Sequence, residues 1–148
     1  MFALDTNLLV YAHNVDAPFH KAAKAFVEKV LNERDSAGNL TICIPAQVLV
    51  EFLNVITWAK LESPLPLPAA LRVVQQYMDT GVTIVHPLPS QLDTLLELLA
   101  TVKTRKKIFD VALAATLRDN DVVGLYTLNT KDFIEFTFLN VVNPLANV

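Results

Sequence analysis

Phe2-Ala3-Leu4-Asp5-Thr6-Asn7 is the stretch from which the fold can be read. Three apolar residues run straight into three polar ones, as in a short buried strand that delivers its last residues to the edge of a sheet. Leu8 to Ala12 then reads as a helical turn capped by that polar group. Further along, Leu40 to Ile44, Val82 to Val85, Val122 to Thr127 and Phe138 to Val142 are strand-like and apolar without alternation. Helical segments separate them. A chain in which unalternating strands take turns with helices predicts an α/β fold: three layers, with a central parallel sheet of four to five strands covered on both faces.

The helices are read from proline starts and apolar spacing. Pro18 opens one with Ala22, Ala25, Phe26, Val30 and Leu31 on its apolar face, closing near Arg34 to Gly38. Pro45 opens another with Leu49, Phe52, Leu53 and Ile56. Ser63 to Pro68 is a proline-punctuated, extended connection, because proline removes a donor and restricts the residue before it. Pro68 then starts a helix carrying Leu71, Val74, Tyr77 and Met78, ended by Gly81. Pro87 to Ser90 introduces the next, with Leu92, Leu95, Leu96 and Leu99 on the side expected to be buried. Phe109 to Arg118 is the last long helix, and Asn129 to Phe133 is a turn or short helix.

Composition sets the bounds. The 148 residues are 53% hydrophobic and 18% charged, with a net charge of -3. That is core material for a single folded domain over 1–148, and the opposite of a disordered polyelectrolyte. A mild negative charge denies the protein a long basic track and most non-specific affinity for nucleic acid. Cys43 stands alone, which excludes an internal disulfide or a zinc centre built on two or more thiols of this chain. No apolar run approaches a membrane span, and the first residues lack the basic region of a signal peptide. The expectation is a cytoplasmic domain with no membrane partner.

Chemistry is sought beyond the carboxyl ends of the strands, where open parallel sheets hold their ligands. Asp5 follows the first strand and Asn129 the fourth. Two further acids lie in apolar helices: Glu51, with Gln47 and Asn54 on the same stripe, and Asp110, where Ala114 leaves its face uncrowded. Buried carboxylates must be paired, protonated or bound to a metal. Several converging would repel one another unless a divalent cation neutralised them, and an all-oxygen set suits Mg²⁺ or Mn²⁺. Such ions support hydrolysis of phosphodiesters. Each residue also has an ordinary account: a strand-end cap for Asp5, a surface acid for Glu51, a dipole-favoured acid in the first turn of a helix for Asp110. A flavodoxin-like or response-regulator-like domain would share the layered sheet, but neither a phosphate loop nor a phosphoacceptor aspartate with a late strand lysine is evident.

At these residues the sequence resembles the PIN-domain family, and within it the VapC toxins of prokaryotic toxin–antitoxin modules. Ala3 to Ala12 resembles the family's first motif, and Asp16 to Ala23 is also similar to this group. Val50-Glu51-Phe52 resembles the second motif, Asp110 to Ala115 the third, and Thr127 to Asn129 with Asp132-Phe133 the fourth. The resemblance implies a metal-dependent endoribonuclease, with Asp5, Glu51 and Asp110 holding Mg²⁺ or Mn²⁺ and Asn129 as the fourth catalytic position. Thr6, Asn7 and Asp132 would support them. Many members have aspartate where this chain has Asn129, whose amide can coordinate or orient water without adding charge. Asp132 could supply the missing charge or sit in the first turn of a short helix that Asn129 caps. A catalytically weak or inactive PIN-like module that binds RNA or protein is the alternative, and Asn129 is the feature that favours it.

Lys103, Arg105, Lys106 and Lys107 precede Asp110 and are expected to contact the phosphates of an RNA substrate, with Lys131 a weaker candidate. His13, His20 and His86 are not obvious ligands. Tyr11, Phe19 and Trp58 could stack on a base or pack in the core or on a partner. By the same resemblance, partners would be a cognate antitoxin and a second copy in a homodimer. The antitoxin contact is expected around Phe26, Val30, Leu53 and Trp58.

Overall fold

Five short parallel strands form the centre of the computed structural model, which describes residues 1–148. In chain order the elements are β1 (Phe2–Leu4), α1 (Thr6–His13), α2 (His20–Asn32), β2 (Ile42–Pro45), α3 (Ala46–Ile56) and α4 (Leu67–Asp79). After these come β3 (Thr83–Val85), α5 (Gln91–Thr101), α6 (Ile108–Asp119), β4 (Gly124–Tyr126), a 3₁₀ turn (Thr130–Asp132) and β5 (Asn140–Val142). The strands lie in the order β3-β2-β1-β4-β5. Each neighbouring pair is parallel, with Ala3 beside Cys43 on one side and Leu125 on the other. From β1 the chain walks outward through β2 and β3, then returns to place β4 on the opposite side of β1. The order therefore reverses between β1 and β4, and a crevice opens at such a switch point in parallel sheets.

The expected three-layer α/β/α architecture is the one observed. α1 packs on α2 and α3, α3 on α4, and α5 on α6. Ala3, Leu4, Cys43, Ile44 and Leu125 are fully buried within one continuous apolar core. Packing at the sheet is close. A Cβ on Gly124 would stand 2.5 Å from the ring of Phe2, which stacks on Tyr126 with centroids 4.6 Å apart. Cys43 is inert core as expected, its thiol pushed up to about 12 by burial.

Several helix faces differ from the sequence reading. In α2 the buried residues are Ala23, Val27 and Val30, one step round from the expected Ala22 and Ala25. In α5 the buried pair is Thr94 and Leu98, whereas Leu92 is 65% and Leu96 57% exposed. The reason is a polar seam between α5 and α6. Gln91 donates to the Ala112 carbonyl and the Thr116 hydroxyl, and Thr94 donates to Asp119 at 2.6 Å. In α4, Leu71 and Met78 are likewise exposed, while Ala70 and Tyr77 point inward. The surface expected to meet a partner also needs correction. Val30 is buried and Phe26 packs edge-on against Tyr126, so of Phe26, Val30, Leu53 and Trp58 only Trp58 stands well out from the surface.

Candidate active site

Asp5 sits at the switch point. It ends β1 and caps α1, so one carboxylate serves both elements. Its Oδ1 accepts the Thr6 backbone N–H at 2.7 Å. Its Oδ2 accepts the Thr127 hydroxyl at 2.6 Å and the Asn7 amide at 3.2 Å. The Asn7 amide also donates to Thr127 Oγ1, and its carbonyl accepts the Leu128 backbone N–H. The ends of β1 and β4 are thus laced together by side chains. Burial pushes the Asp5 carboxyl up to about 6. The hydrogen bonds from Thr127 and Thr6 oppose that rise, and the charges of Asp110 and Glu51 add to it.

Glu51 joins the same lattice from α3. Thr6 Oγ1 donates to its Oε2 at 2.8 Å and Gln47 Nε2 to its Oε1 at 2.8 Å. Gln47, one turn earlier on the helix, also donates to the Phe109 carbonyl at 2.9 Å and so ties α3 to the start of α6. Asp110 lies in the first turn of α6, where the helix dipole favours an acid. Its carboxyl is raised, first by burial, then by the charge of Asp132 and by that of Glu51; Lys107 and Lys106 pull it back down. The three acids picked out in the sequence therefore feel one another's charge across β1, α3 and α6.

Thr6 and Asn7 bond these acids directly. Thr127 and Gln47 do so as well, and sequence reasoning missed this role for both. Thr127 is fully buried with its hydroxyl on Asp5; the sequence marked it by its place at the end of an apolar strand and at the start of the stretch that resembles the fourth motif. Asn129 precedes the 3₁₀ turn, but its side chain makes no capping hydrogen bond. Its backbone N–H donates to Thr127 Oγ1 at 3.0 Å. Asp132 ends that turn near enough to Asp110 to raise its pKa.

The basic segment divides. Lys106 Nζ lies 3.0 Å from Glu135 and donates to the Lys131 carbonyl, with only 9% of its side chain exposed. Lys103 N–H and the Thr104 hydroxyl also donate to Glu135, whose carboxyl is held low, first by Lys106. Lys103, Arg105 and Lys107 are exposed. The histidines stay out of the site: His13 bonds Tyr77 at 2.7 Å, and His20 Nδ1 bonds the Tyr11 carbonyl.

The donor set is all oxygen and mutually repulsive, which is the chemistry a hard divalent cation satisfies. No three acidic, histidine or cysteine side chains stand together closely enough to hold an ion as they are arranged. The fit is one of chemistry, with the carboxylates still apart.

Comparison with known proteins places this arrangement. The family model for the PIN domain matches residues 2–139. The chain belongs to the PIN-domain family. Ribonuclease VapC24 of Mycobacterium tuberculosis is 30% identical over 149 residues, covering 99% of both chains. Ribonuclease VapC33 of the same organism is 31% identical, covering 98% of this chain and 99% of its own. Among solved structures, VapBC2 from Rickettsia felis, bound to a DNA fragment from its promoter, matches with a TM-score of 0.68 and 19% identity over 95% of this chain and 96% of that one. The FitAcB structure from Neisseria gonorrhoeae matches with a TM-score of 0.66 and 14% identity over 99% of each chain. These likenesses bear out the family and fold read from the four motifs. No helix is long and apolar enough to cross a membrane.

Proposed function

We propose that this PIN-domain protein is a divalent-metal-dependent endoribonuclease, the cytoplasmic toxin of a toxin–antitoxin pair. The observation that carries the reading is that three acids from different elements meet one bonding lattice at the switch point: Thr6 bonds both Asp5 and Glu51, and Gln47, which bonds Glu51, ties α3 to the start of α6 beside Asp110. Asp5, Asp110 and Glu51 would hold Mg²⁺ or Mn²⁺, with Asp132 the nearest further acid. The ion, when bound, lowers the pKa of water and stabilises charge on a phosphate. The protein's own residues do the positioning. Thr127, Asn7 and Thr6 fix Asp5, while Thr6 and Gln47 fix Glu51. Lys107 and Arg105 offer exposed cations beside Asp110 for the phosphates of the strand. Hydrolysis by water would leave a 5′-phosphate and a 3′-hydroxyl.

The partners proposed are an antitoxin and a second copy of the chain. The relatives of known structure include complexes described as VapBC2 and FitAB. Leu92, Leu96 and Phe109 at 65%, 57% and 74% exposure provide apolar surface for such contacts.

Incubation of the purified protein with total RNA, with and without Mg²⁺ or Mn²⁺, and sequencing of the ends, tests this reading. Cleavage that requires the ion and disappears in Asp110→Asn is expected. Cleavage that survives both chelation and that substitution removes the metal site. A weak or inactive RNA- or protein-binding module is the second reading, favoured by Asn129 in place of an acid. RNA binding with no cleavage under any divalent ion would select it.

A further inference from the structure

A cleft of about 380 Å³ opens at the carboxyl edge of the sheet, lined by Tyr11, Phe19, Leu128, Asn129, Asn143 and Leu145 among others. Its walls follow the carboxyl ends of β4 and β5 and the loop that leaves α1, so it shares the edge of the sheet with Asp5. Two of its lining residues follow closely on residues that bond Asp5. Tyr11 lies one helical turn beyond Asn7, which bonds Asp5, and residues four apart share a helix face. Asn129 lies two residues beyond Thr127, which bonds the same carboxylate and accepts the Asn129 N–H.

The lining chooses its ligand by what it lacks and what it offers. No acidic, basic or histidine side chain lines it, so it has nothing to neutralise a phosphate. A separate cleft of about 480 Å³, lined by Arg105, Lys106 and Lys107 at the start of α6, has the cations instead. The cleft, whose side chains are uncharged, presents two aromatic rings, apolar walls and two side-chain amides; the Asn143 side-chain carbonyl already accepts the Leu145 backbone N–H at 2.9 Å, so that amide faces a ligand as a donor. Flat apolar faces with a few amides are what an unstacked nucleobase requires, and single-stranded RNA is recognised in this way.

Phe19 adds an independent sign. It is 56% exposed and its backbone is left-handed, with φ 58 and ψ 20, a conformation that a bulky residue rarely adopts. Glycine would take it without strain. The chain instead holds a large ring at the mouth of the cleft, at a cost in backbone energy and in exposed apolar surface.

We propose that this cleft holds one unstacked base of the RNA strand lying across the acids, with Phe19 and Tyr11 as its stacking faces and Asn129 and Asn143 reading its edge. For the identity of its ligand this rests on the ribonuclease reading. The phosphates of the same strand then run toward Arg105 and Lys107.

The test uses short single-stranded RNAs of A, C, G or U, each also made with one base removed at successive positions. Binding is followed by fluorescence anisotropy in chelator, and cleavage by steady-state kinetics with Mn²⁺. Phe19→Gly takes away the ring while relieving the backbone, so a loss cannot be assigned to strain; Phe19→Tyr keeps a stacking face. Removal of one base should weaken wild-type binding about tenfold. Phe19→Gly should bind the intact strand about tenfold more weakly, with a matching rise in KM, and lose nothing further when that base is absent. Phe19→Tyr should retain the dependence on that base. If Phe19→Gly folds, binds and cuts as wild type does, the base site is overturned. Wild-type cleavage that is indifferent to every missing base overturns it too, and leaves the ribonuclease reading standing. Binding that depends on one base and on Phe19, with no cleavage of any RNA, keeps the base site and removes the ribonuclease reading instead.

Discussion

The Asp5 corner and the Asp110 corner of the site are built in opposite ways. Asp5 is 8% exposed and held by three donors, which themselves bond one another or the next strand. Asp110 is half-buried, and its surroundings are charges: Asp132 and Glu51 against Lys107 and Lys106. One corner is fixed before any ligand arrives. The other is set by charges, and it is the corner whose balance a bound cation would adjust. Glu51 belongs to the fixed side through Thr6 and Gln47, and Gln47 carries the connection across to Phe109 at the start of α6.

Substituting either aspartate should abolish cleavage, but the two should differ in stability. Asp110→Asn should drop cleavage below detection without loss of stability, because burial and the charges of Asp132 and Glu51 already disfavour its ionised form in the metal-free protein. Asp5→Asn should be equally inactive and should alter the pH dependence of folding. An acid raised from 3.8 to about 6 holds its proton more tightly when folded, so the metal-free protein loses stability as pH rises through that window. The shift corresponds to about 3 kcal/mol, missing above pH 6 and restored below about pH 4. Urea denaturation of wild type and Asp5→Asn across pH 3.5–7 should show this fall in wild type and a smaller one in the variant, where Asp110 still carries a raised pKa. Parallel curves would mean that Asp5 is not the strained acid, and the contrast between the corners would collapse.

Thr127→Val is the next largest effect. It keeps the shape and deletes the hydroxyl that donates to Asp5 and accepts from Asn7 and Asn129. Leaving those groups without their partner should cost about 1–3 kcal/mol. With a lowering hydrogen bond gone, the Asp5 carboxyl should rise further. If the carboxylate holds metal, cleavage should fall about 10- to 100-fold, as for other groups that orient metal ligands. Thermal melts and cleavage rates measure both, and unchanged cleavage would show that Asp5 does not depend on this support.

This contrast also explains how much could be read from sequence. The strands were legible because burial on both faces writes itself as unbroken apolar runs, and the acids because they interrupt such runs. Thr127 and Gln47 were marked only by a motif and a helix stripe; the bonds that give them their role, from Thr127 to Asp5 122 residues away and from Gln47 to the Phe109 carbonyl, are supplied by the fold. The leucines of α5 misled for a related reason. Periodicity marks an apolar face, but Gln91 and Thr94 meet polar partners on α6 and take the inner side, leaving Leu92 and Leu96 outside. Lys106 looked like its neighbours until Glu135 came beside it.

That last pairing separates two lysines that the sequence treats alike. Lys107→Ala should weaken RNA binding and reduce the magnitude of its log–log salt slope by roughly 0.7 to 0.9, the loss of one phosphate contact. Lys106→Ala should leave the slope nearly unchanged and instead loosen residues 103–107, whose bonds to Glu135 it shares; faster amide exchange there would report it. Equal slope changes for both would show that Lys106 leaves Glu135 to meet RNA.

The smallest effect expected, and the one that bears most on the adjustable corner, is that of Asn129→Asp. Asn129 stands at the end of β4, exposed, with only its backbone engaged on Thr127. If its side chain faces the bound ion, a carboxylate there should tighten Mg²⁺ or Mn²⁺ binding, read directly by calorimetry. The same charge should repel Asp5 and Asp110 in the metal-free protein, lowering its melting temperature, and added metal should restore it. A plain capping role predicts otherwise, since aspartate caps about as well as asparagine and would change neither property. The side chain makes no capping bond in the structure, so the capping account already lacks its contact. Equal dissociation constants would remove Asn129 from the metal and pass the fourth acidic position to Asp132. Asp132→Asn should then weaken metal binding, because it is Asp132 whose charge already reaches Asp110.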